Sequence, residues 1–238
     1  MKVLELFAGT RSIGKAFEAH GHEVFSVDWS RDFENIDMYA DILNITADDI
    51  LQRFGKPNVI WASPDCTTYS VAAISHHRRK EASGNLAPVS DYAKQCDQVN
   101  KHVLQLIEDL KPEYWFIENP RGGLRKMDFM QGLPRYTVTY CQYEQNKPPR
   151  ERRMKPTDIF TNYEFPNFLP PCKNGDPCHA RAPRSATMRK LKEQGIEIEV
   201  GGTQYGITGK NRSRDRSRIP EDLCKHIVDI CEEGLQMK

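Results

Sequence analysis

The chain has 238 residues, 38% hydrophobic and 28% charged, with a formal net charge of +1. That length allows one substantial core and a small appendage, and no apolar run reaches the roughly 20 residues that span a bilayer, so no membrane association is expected. Met1-Lys2 leads straight into a strand-like run rather than a signal peptide, and the seven cysteines lack a disulfide framework, so reduced thiols and a cytoplasmic location are expected.

Residues 3–7 form the first expected buried strand. It turns through Phe7-Ala8-Gly9-Thr10-Arg11-Ser12-Ile13-Gly14 into a helix over 12–20. Glycines in such a turn let the backbone approach a ligand whose polar groups meet the free amides of a helix start. Phe7, Ala8, Gly9, Thr10, Ser12 and Gly14 are therefore candidate cofactor contacts. The spacing is not G-x-G-x-x-G, so a dinucleotide is not indicated. A second strand, 23–28, ends in Val27-Asp28-Trp29. An acid about 20 residues beyond the loop can accept hydrogen bonds from both ribose hydroxyls, and Trp29 can pack on an adenine ring. Asp41-Ile42 follows; Asp41 suits an adenine amino group or, more plainly, a turn or cap. Together these residues fit an adenosine-bearing cofactor without a pyrophosphate.

After a helix over 47–54 comes a third strand, 58–62, which ends in Ala62-Ser63-Pro64-Asp65-Cys66-Thr67-Thr68-Tyr69-Ser70. A long amphipathic helix over 91–110 leads to a strand over 114–118 and Glu118-Asn119-Pro120. A thiol and a carboxylate at the carboxyl ends of buried strands lie where open α/β sheets bind ligands. The plainer alternative makes Cys66 a small buried hydrophobe. Further strands are expected over 136–143 and 158–161. Composition then shifts to Pro, Gly, Cys and Asn over 162–184, marking irregular structure. A short helix over 185–194, a basic loop over 201–217 and a closing helix over 220–235 complete the chain. The β-α-β-α rhythm indicates an α/β doubly wound sheet. The expected divisions are a catalytic, cofactor-binding region over 1–162, a small irregular segment over 163–200, and a returning loop and helix over 201–238.

Leu6-Phe7-Ala8-Gly9, Pro64-Asp65-Cys66-Thr67-Thr68-Tyr69-Ser70 and Glu118-Asn119-Pro120, in that order, resemble the DNA cytosine-5 methyltransferase family. The likeness is to its small phage and bacterial members, and runs from Val3 to about Asn162, resuming near Arg218. It implies a Rossmann-like S-adenosylmethionine-dependent methyltransferase fold, a mostly parallel twisted sheet with helices on both faces. It also implies that the first loop, with Gly9 and Gly14, holds S-adenosyl-L-methionine, that Cys66 attacks cytosine C6 and that Glu118 engages N3. Pro64 is placed with the cofactor-binding residues. The implied partner is DNA with its target cytosine flipped out, in a bacterial or phage-infected cell. The chain departs from the family at Arg11-Ser12, where adjacent glycines are usual, and at Asp65, which replaces a proline and tends to raise the thiol pKa unless it points away. The family's Gln-x-Arg-x-Arg is loosened into Gln142-Tyr143 followed by Arg150 to Arg153 and Lys155. Arg153 is the choice for contacting the base, with Arg152 in reserve.

Basic residues cluster at His76-His77-Arg78-Arg79-Lys80, at 150–155 and at 210–218, a pattern that suits a polyanion. Under the DNA reading, 70–90 is a long loop that closes over the duplex, with Arg78, Arg79 and Lys80 on phosphates and Ser70 near the target's backbone. Arg212, Arg214, Arg216 and Arg218 alternate, so an extended chain sets all four on one side, suited to phosphate contact. Each cluster has a plainer reading as a solvated or flexible basic surface. Cys172-x5-Cys178-His179 invites zinc, but no fourth partner stands at a familiar spacing, so no metal ligand is assigned. That stretch reads instead as a reduced target-recognition region. Two rivals stay open: an exocyclic-amino methyltransferase, from Ser63-Pro64-Asp65, and a catalytically silent nucleic-acid-binding protein. RNA as substrate also stays open.

Overall fold

Val3 and Leu4, Val59 and Ile60, and Phe116 and Ile117 are neighbouring pairs, all buried. Successive strand side chains point to opposite faces, so strands this apolar need cover on both sides. The structure, a computed structural model, describes residues 1–180, 190–191, 193–195 and 217–236. Its strands are β1 (Lys2–Leu6), β2 (Glu23–Asp28), β3 (Met38–Tyr39), β4 (Val59–Ala62), β5 (Arg78–Lys80), β6 (Leu86–Pro88), β7 (Tyr114–Pro120), β8 (Arg135–Thr139) and β9 (Pro156–Thr161). The main sheet runs β3-β2-β1-β4-β7-β9-β8. Its pairs are parallel from β3 to β7, and β9 runs antiparallel to both of its neighbours.

Helices α2 (Ala47–Arg53) and α4 (Asp91–Leu110) cover one face, where Ile50, Val103 and Leu106 meet Leu4, Leu6 and Ile60. Helices α1 (Ser12–Ala19) and α5 (Glu221–Gln236) cover the other, with Ile13, Phe17 and Ile227 against Val3, Val59 and Phe116. A short α3 (Ile74–His77) lies between β4 and β5. Caps set the helix starts: Thr46 and Asp49 form a capping box for α2, and the Ser90 side chain accepts from Ala93 N at the head of α4. The doubly wound architecture is as expected, and β2 and α4 have the expected bounds.

Two expectations change. The strand read over 136–143 stops at Thr139, and Tyr140–Tyr143 wind into a 3-10 turn. Its partner β9 begins at Pro156, opposite Thr139, so the ladder has nothing to pair with further on. The loop expected over 70–90 contains α3 and the β5–β6 hairpin. The described part of 163–200 has no strand or helix of its own before residue 180. It leans on the main body: His226 Nε2 donates to Pro166 O at 2.6 Å and Leu169 N to Tyr143 Oη at 2.8 Å. Lys190, Leu191 and Glu193 are helical. The rest of the helix expected over 185–194, and the basic loop with Arg212, Arg214 and Arg216, lie outside the described residues.

Candidate active site

The carboxyl ends of β1 and β2 build the first wall of the site. Gly9, at φ +51°, turns its N–H onto Asp28 Oδ2 at 2.9 Å, and Ser30 N donates to Oδ1 at 2.8 Å. Held by both oxygens, the Asp28 carboxylate borders a cavity of about 430 Å³ together with Phe7, Trp29, Asp41 and Ile42. Asp65, Tyr92, Cys96 and Val99 line its opposite side. Trp29 is 75% exposed, an indole left open at the rim. Asp41 also caps the turn at Ile42–Asn44, accepting from Leu43 N at 3.0 Å, so the plainer reading of this residue is realised as well.

Ala8, Thr10, Ser12 and Pro64 are not part of the cavity wall. Gly14 stands further still from a cofactor contact. It is buried in α1, donates to Glu5 Oε1 at 3.0 Å, and a Cβ there would collide with Glu5 and lie 3.2 Å from Val24 Cγ1. Its smallness serves the packing of α1 on β1 and not the approach of a ligand. Arg11, where the family has glycine, takes a left-handed φ of 57° and is held by an ion pair with Glu18.

Beyond β4, Trp61 Nε1 donates to Ser63 Oγ at 2.8 Å and Asn119 Nδ2 to Pro64 O at 3.1 Å. The second bond ties the Glu-Asn-Pro strand end to the loop that carries Cys66. Cys66 opens a 3-10 turn over Thr67–Tyr69, which rests on a buried polar network. Tyr69 Oη donates to Asp97 Oδ1 at 2.7 Å, and Arg78 Nη2 reaches the same oxygen at 2.7 Å. Arg78 also donates to Thr68 O and Thr68 Oγ1, each at 3.0 Å, and its side chain is fully buried. Arg78 therefore does not contact phosphates. A guanidinium is tolerated in the interior only when paired and hydrogen-bonded, and this one spends its donors supporting the Cys66 turn. Arg79 and Lys80 remain exposed on β5, and Ser70 is half-buried just after the 3-10 turn, its carbonyl accepting from Ile74 N at 2.8 Å.

Burial pushes the Cys66 thiol up to about 11; Lys155 opposes the shift, and Glu118 and then Asp65 add to it. Asp65 contributes least of the three because it is exposed and accepts from Thr67 N at 2.6 Å. Glu118, buried in β7, accepts from Tyr140 Oη at 2.9 Å and lies 3.6 Å from Lys155 Nζ, which is also 4.6 Å from the centre of the Tyr140 ring. The cation beside Cys66 and Glu118 is thus Lys155. Arg153 is buried behind it, bonded to Glu144 Oε1 at 2.7 Å and to Arg218 O at 2.7 Å. Arg152 binds Lys147 O at 2.7 Å and Cys178 O at 3.0 Å, bracing the loop rather than facing Glu118.

Sequence reasoning missed Tyr140 and the role of Lys155, which only the pairing of β8 with β9 brings to Glu118. It also passed over Gly122-Gly123. Gly123 N donates to Tyr69 O at 2.7 Å, and a Cβ on Gly122 would collide with that same carbonyl. The glycine doublet after Glu-Asn-Pro was the available signal.

No protein-family model matches the chain. It is 28% identical to the "Probable DNA (cytosine-5)-methyltransferase" of Frog virus 3 (isolate Goorha), across 97% of this chain and 100% of that one. The chain is thus similar along nearly its whole length to a probable cytosine-5 methyltransferase. Two solved structures share its fold at low identity. A methyltransferase of Entamoeba histolytica, EhMeth, matches with TM-score 0.56 and 12% identity over 99% of this chain and 98% of its own. The Dnmt2 methyltransferase of S. pombe matches with TM-score 0.53 and 11% identity over 99% of each. The described residues thus have a Rossmann-like methyltransferase fold. Among its described residues no helix is long and apolar enough to cross a membrane.

Proposed function

We propose that this chain is an S-adenosylmethionine-dependent DNA cytosine-5 methyltransferase that works through a covalent bond between Cys66 and C6 of a flipped cytosine. The observation that carries the proposal is the meeting of Cys66, Glu118 and Lys155 at the strand ends, beside the Asp28 cavity. The cavity's volume of about 430 Å³ is that of a small-molecule site. Asp28 would hold the ribose hydroxyls, Trp29 would cover the adenine, and Phe7, Asp41 and Ile42 would complete the wall. Bound there, S-adenosylmethionine supplies the methyl group.

The protein's own work is done on the base. Cytosine C5 is too weak a nucleophile until a thiolate adds to C6. When the Cys66 sulfur forms that bond, the C5=C6 pair moves onto C5, and Glu118 hydrogen-bonds or protonates N3 to receive the displaced density. Lys155 favours the thiolate electrostatically, while Tyr140 fixes Glu118. After C5 is methylated, a base removes its proton and the returning electron pair expels the sulfur. A duplex base cannot offer C6 to a protein sulfur, so the nucleotide must leave the stack. Arg79 and Lys80 are exposed for phosphate contact.

The test is incubation with S-adenosylmethionine and DNA containing 5-fluorocytosine. A denaturation-resistant complex should form, and should be absent with Cys66→Ser. Methyl transfer that survives Cys66→Ser without any adduct would sink the proposal in favour of amino methylation; the same assay on RNA decides the substrate.

A further inference from the structure

Cys141 sits in the turn after β8, and Cys172, Cys178 and His179 come from the irregular segment that crosses it. The Cys141 Sγ lies 2.9 Å from that of Cys172 and 3.8 Å from that of Cys178. His179 Nδ1 lies 3.2 Å from Cys178 Sγ and 3.8 Å from Cys172 Sγ. All four ligand atoms fall within 4.8 Å of one another. A tetrahedral zinc ion, with Zn–S of about 2.3 Å and Zn–N of about 2.0 Å, sets its sulfurs roughly 3.8 Å apart and its sulfur–nitrogen edges at roughly 3.6 Å. The cluster agrees in ligand number and type; the Cys141–Cys178 separation of 3.8 Å matches the sulfur edge, and the Cys141–Cys172 separation of 2.9 Å is shorter and would open on ligation.

Two plainer explanations compete. Free cysteines pack as small hydrophobes, but that does not explain an imidazole nitrogen converging on the same sulfurs, with Cys141 0% and His179 4% exposed. A Cys141–Cys172 disulfide would need about 2.05 Å between sulfurs, and would leave the approach of Cys178 and His179 without a cause. The segment also lacks regular structure before residue 180, and Lys173, Asn174 and Gly175 are exposed. A short stretch without its own core is the kind that metal ligation holds in place.

We propose that Cys141, Cys172, Cys178 and His179 form a closed structural site for Zn²⁺, with three thiolates and the Nδ1 of His179 as ligands. Binding releases the three thiol protons and leaves the centre singly negative; Arg152, which donates to Cys178 O at 3.0 Å, brings a positive charge to the loop it braces. The site joins two pieces of chain that the strands do not. It anchors the 172–179 segment to the turn containing Tyr140, alongside the bonds from Cys172 N to Thr139 Oγ1 at 3.0 Å and from Ala180 N to Pro149 O at 2.9 Å. It does not depend on the methyltransferase reading, and metal content reports on it without any activity.

The full chain, purified under reducing conditions and without chelator, should carry about one zinc per chain by elemental mass spectrometry. After exchange with cobalt(II) it should show the visible absorption of a tetrahedral cobalt thiolate. Cys172→Ser, Cys178→Ser and His179→Gln should each lose most of the metal, while Cys66→Ser keeps it. Should those variants fail to fold, the wild type still decides: a strong chelator should expose Cys172 and Cys178 to alkylation, and Zn²⁺ should restore their protection. Wild-type protein that takes up no zinc after reduction and incubation with Zn²⁺ overturns the proposal. So does metal content unchanged in folded Cys178→Ser, or a Cys141–Cys172 disulfide with no metal uptake once reduced.

Discussion

At Cys66 two demands of the proposed chemistry collide: the loop must be dry enough to exclude water from a reacting base, and the sulfur must lose a proton. Burial dominates in the free protein, which places the thiol near 11 with Lys155 as the opposing charge. The thiolate is the reactive form, so alkylation of Cys66 should accelerate about tenfold per pH unit through the neutral and mildly alkaline range. Lys155→Gln should slow alkylation at fixed pH and reduce methyl transfer by about tenfold or more, as followed by iodoacetamide labelling and single-turnover kinetics. A faster thiol in Lys155→Gln would rule out Lys155 as the charge that favours the thiolate. Glu5 makes a second titratable case. Its carboxyl is raised from 4.5 to about 7, chiefly by burial, against hydrogen bonding from Gly14 N. The folded state then binds the proton more tightly than the unfolded one. This contribution is fully present below about pH 4.5 and is lost as pH rises through about 7. Glu5→Gln should therefore gain stability relative to wild type between about pH 5 and pH 8, by at most about 3 kcal/mol. Urea denaturation of both proteins at the two pH values measures this difference.

Among the elements, the β5–β6 hairpin shows how a basic run divides its labour. Arg78, Arg79 and Lys80 are adjacent, yet Arg78 turns inward onto Asp97 and Thr68 while Arg79 and Lys80 are exposed. Arg78→Met strands the Asp97 carboxylate and should cost about 3–5 kcal/mol of stability. Arg79→Ala with Lys80→Ala should change stability by less than about 0.5 kcal/mol each while weakening DNA binding and its salt dependence. Thermal unfolding and fluorescence anisotropy separate the two effects. Helix α1 is equally specific: Gly14→Ala inserts a methyl against Glu5 and Val24, an overpacking worth about 1–3 kcal/mol. Strand and helix positions were largely legible in the sequence because apolar periodicity and caps are local. The lid-like hairpin was not, because its short apolar content gave no period to read.

For the whole molecule, the cavity between β2 and α4 should couple cofactor binding to stability. S-adenosylmethionine at about 100 times its Kd should stabilise the chain by about 2.7 kcal/mol, seen as a rise in Tm. Trp29 is 75% exposed, whereas Trp61 is buried, so ligand-induced change in tryptophan fluorescence should largely disappear in Trp29→Phe. Persistence of the full signal in that variant would place the ligand elsewhere.

Taken alone, the sequence determined the doubly wound order, the strand ends carrying Asp28, Cys66 and Glu118, and the resemblance in motif order. These follow from hydrophobic period and from residues close together in the chain. Tertiary structure decided the rest. It turned Asp65 toward Thr67 N, took Arg78 inside, and placed Lys155 and Tyr140 on Glu118. It also brought Cys141 to Cys172, Cys178 and His179, a fourth ligand that no spacing could reveal. Each of these depends on the register of β8 and β9 or on burial summed over several elements, and neither quantity is encoded within a short window of chain.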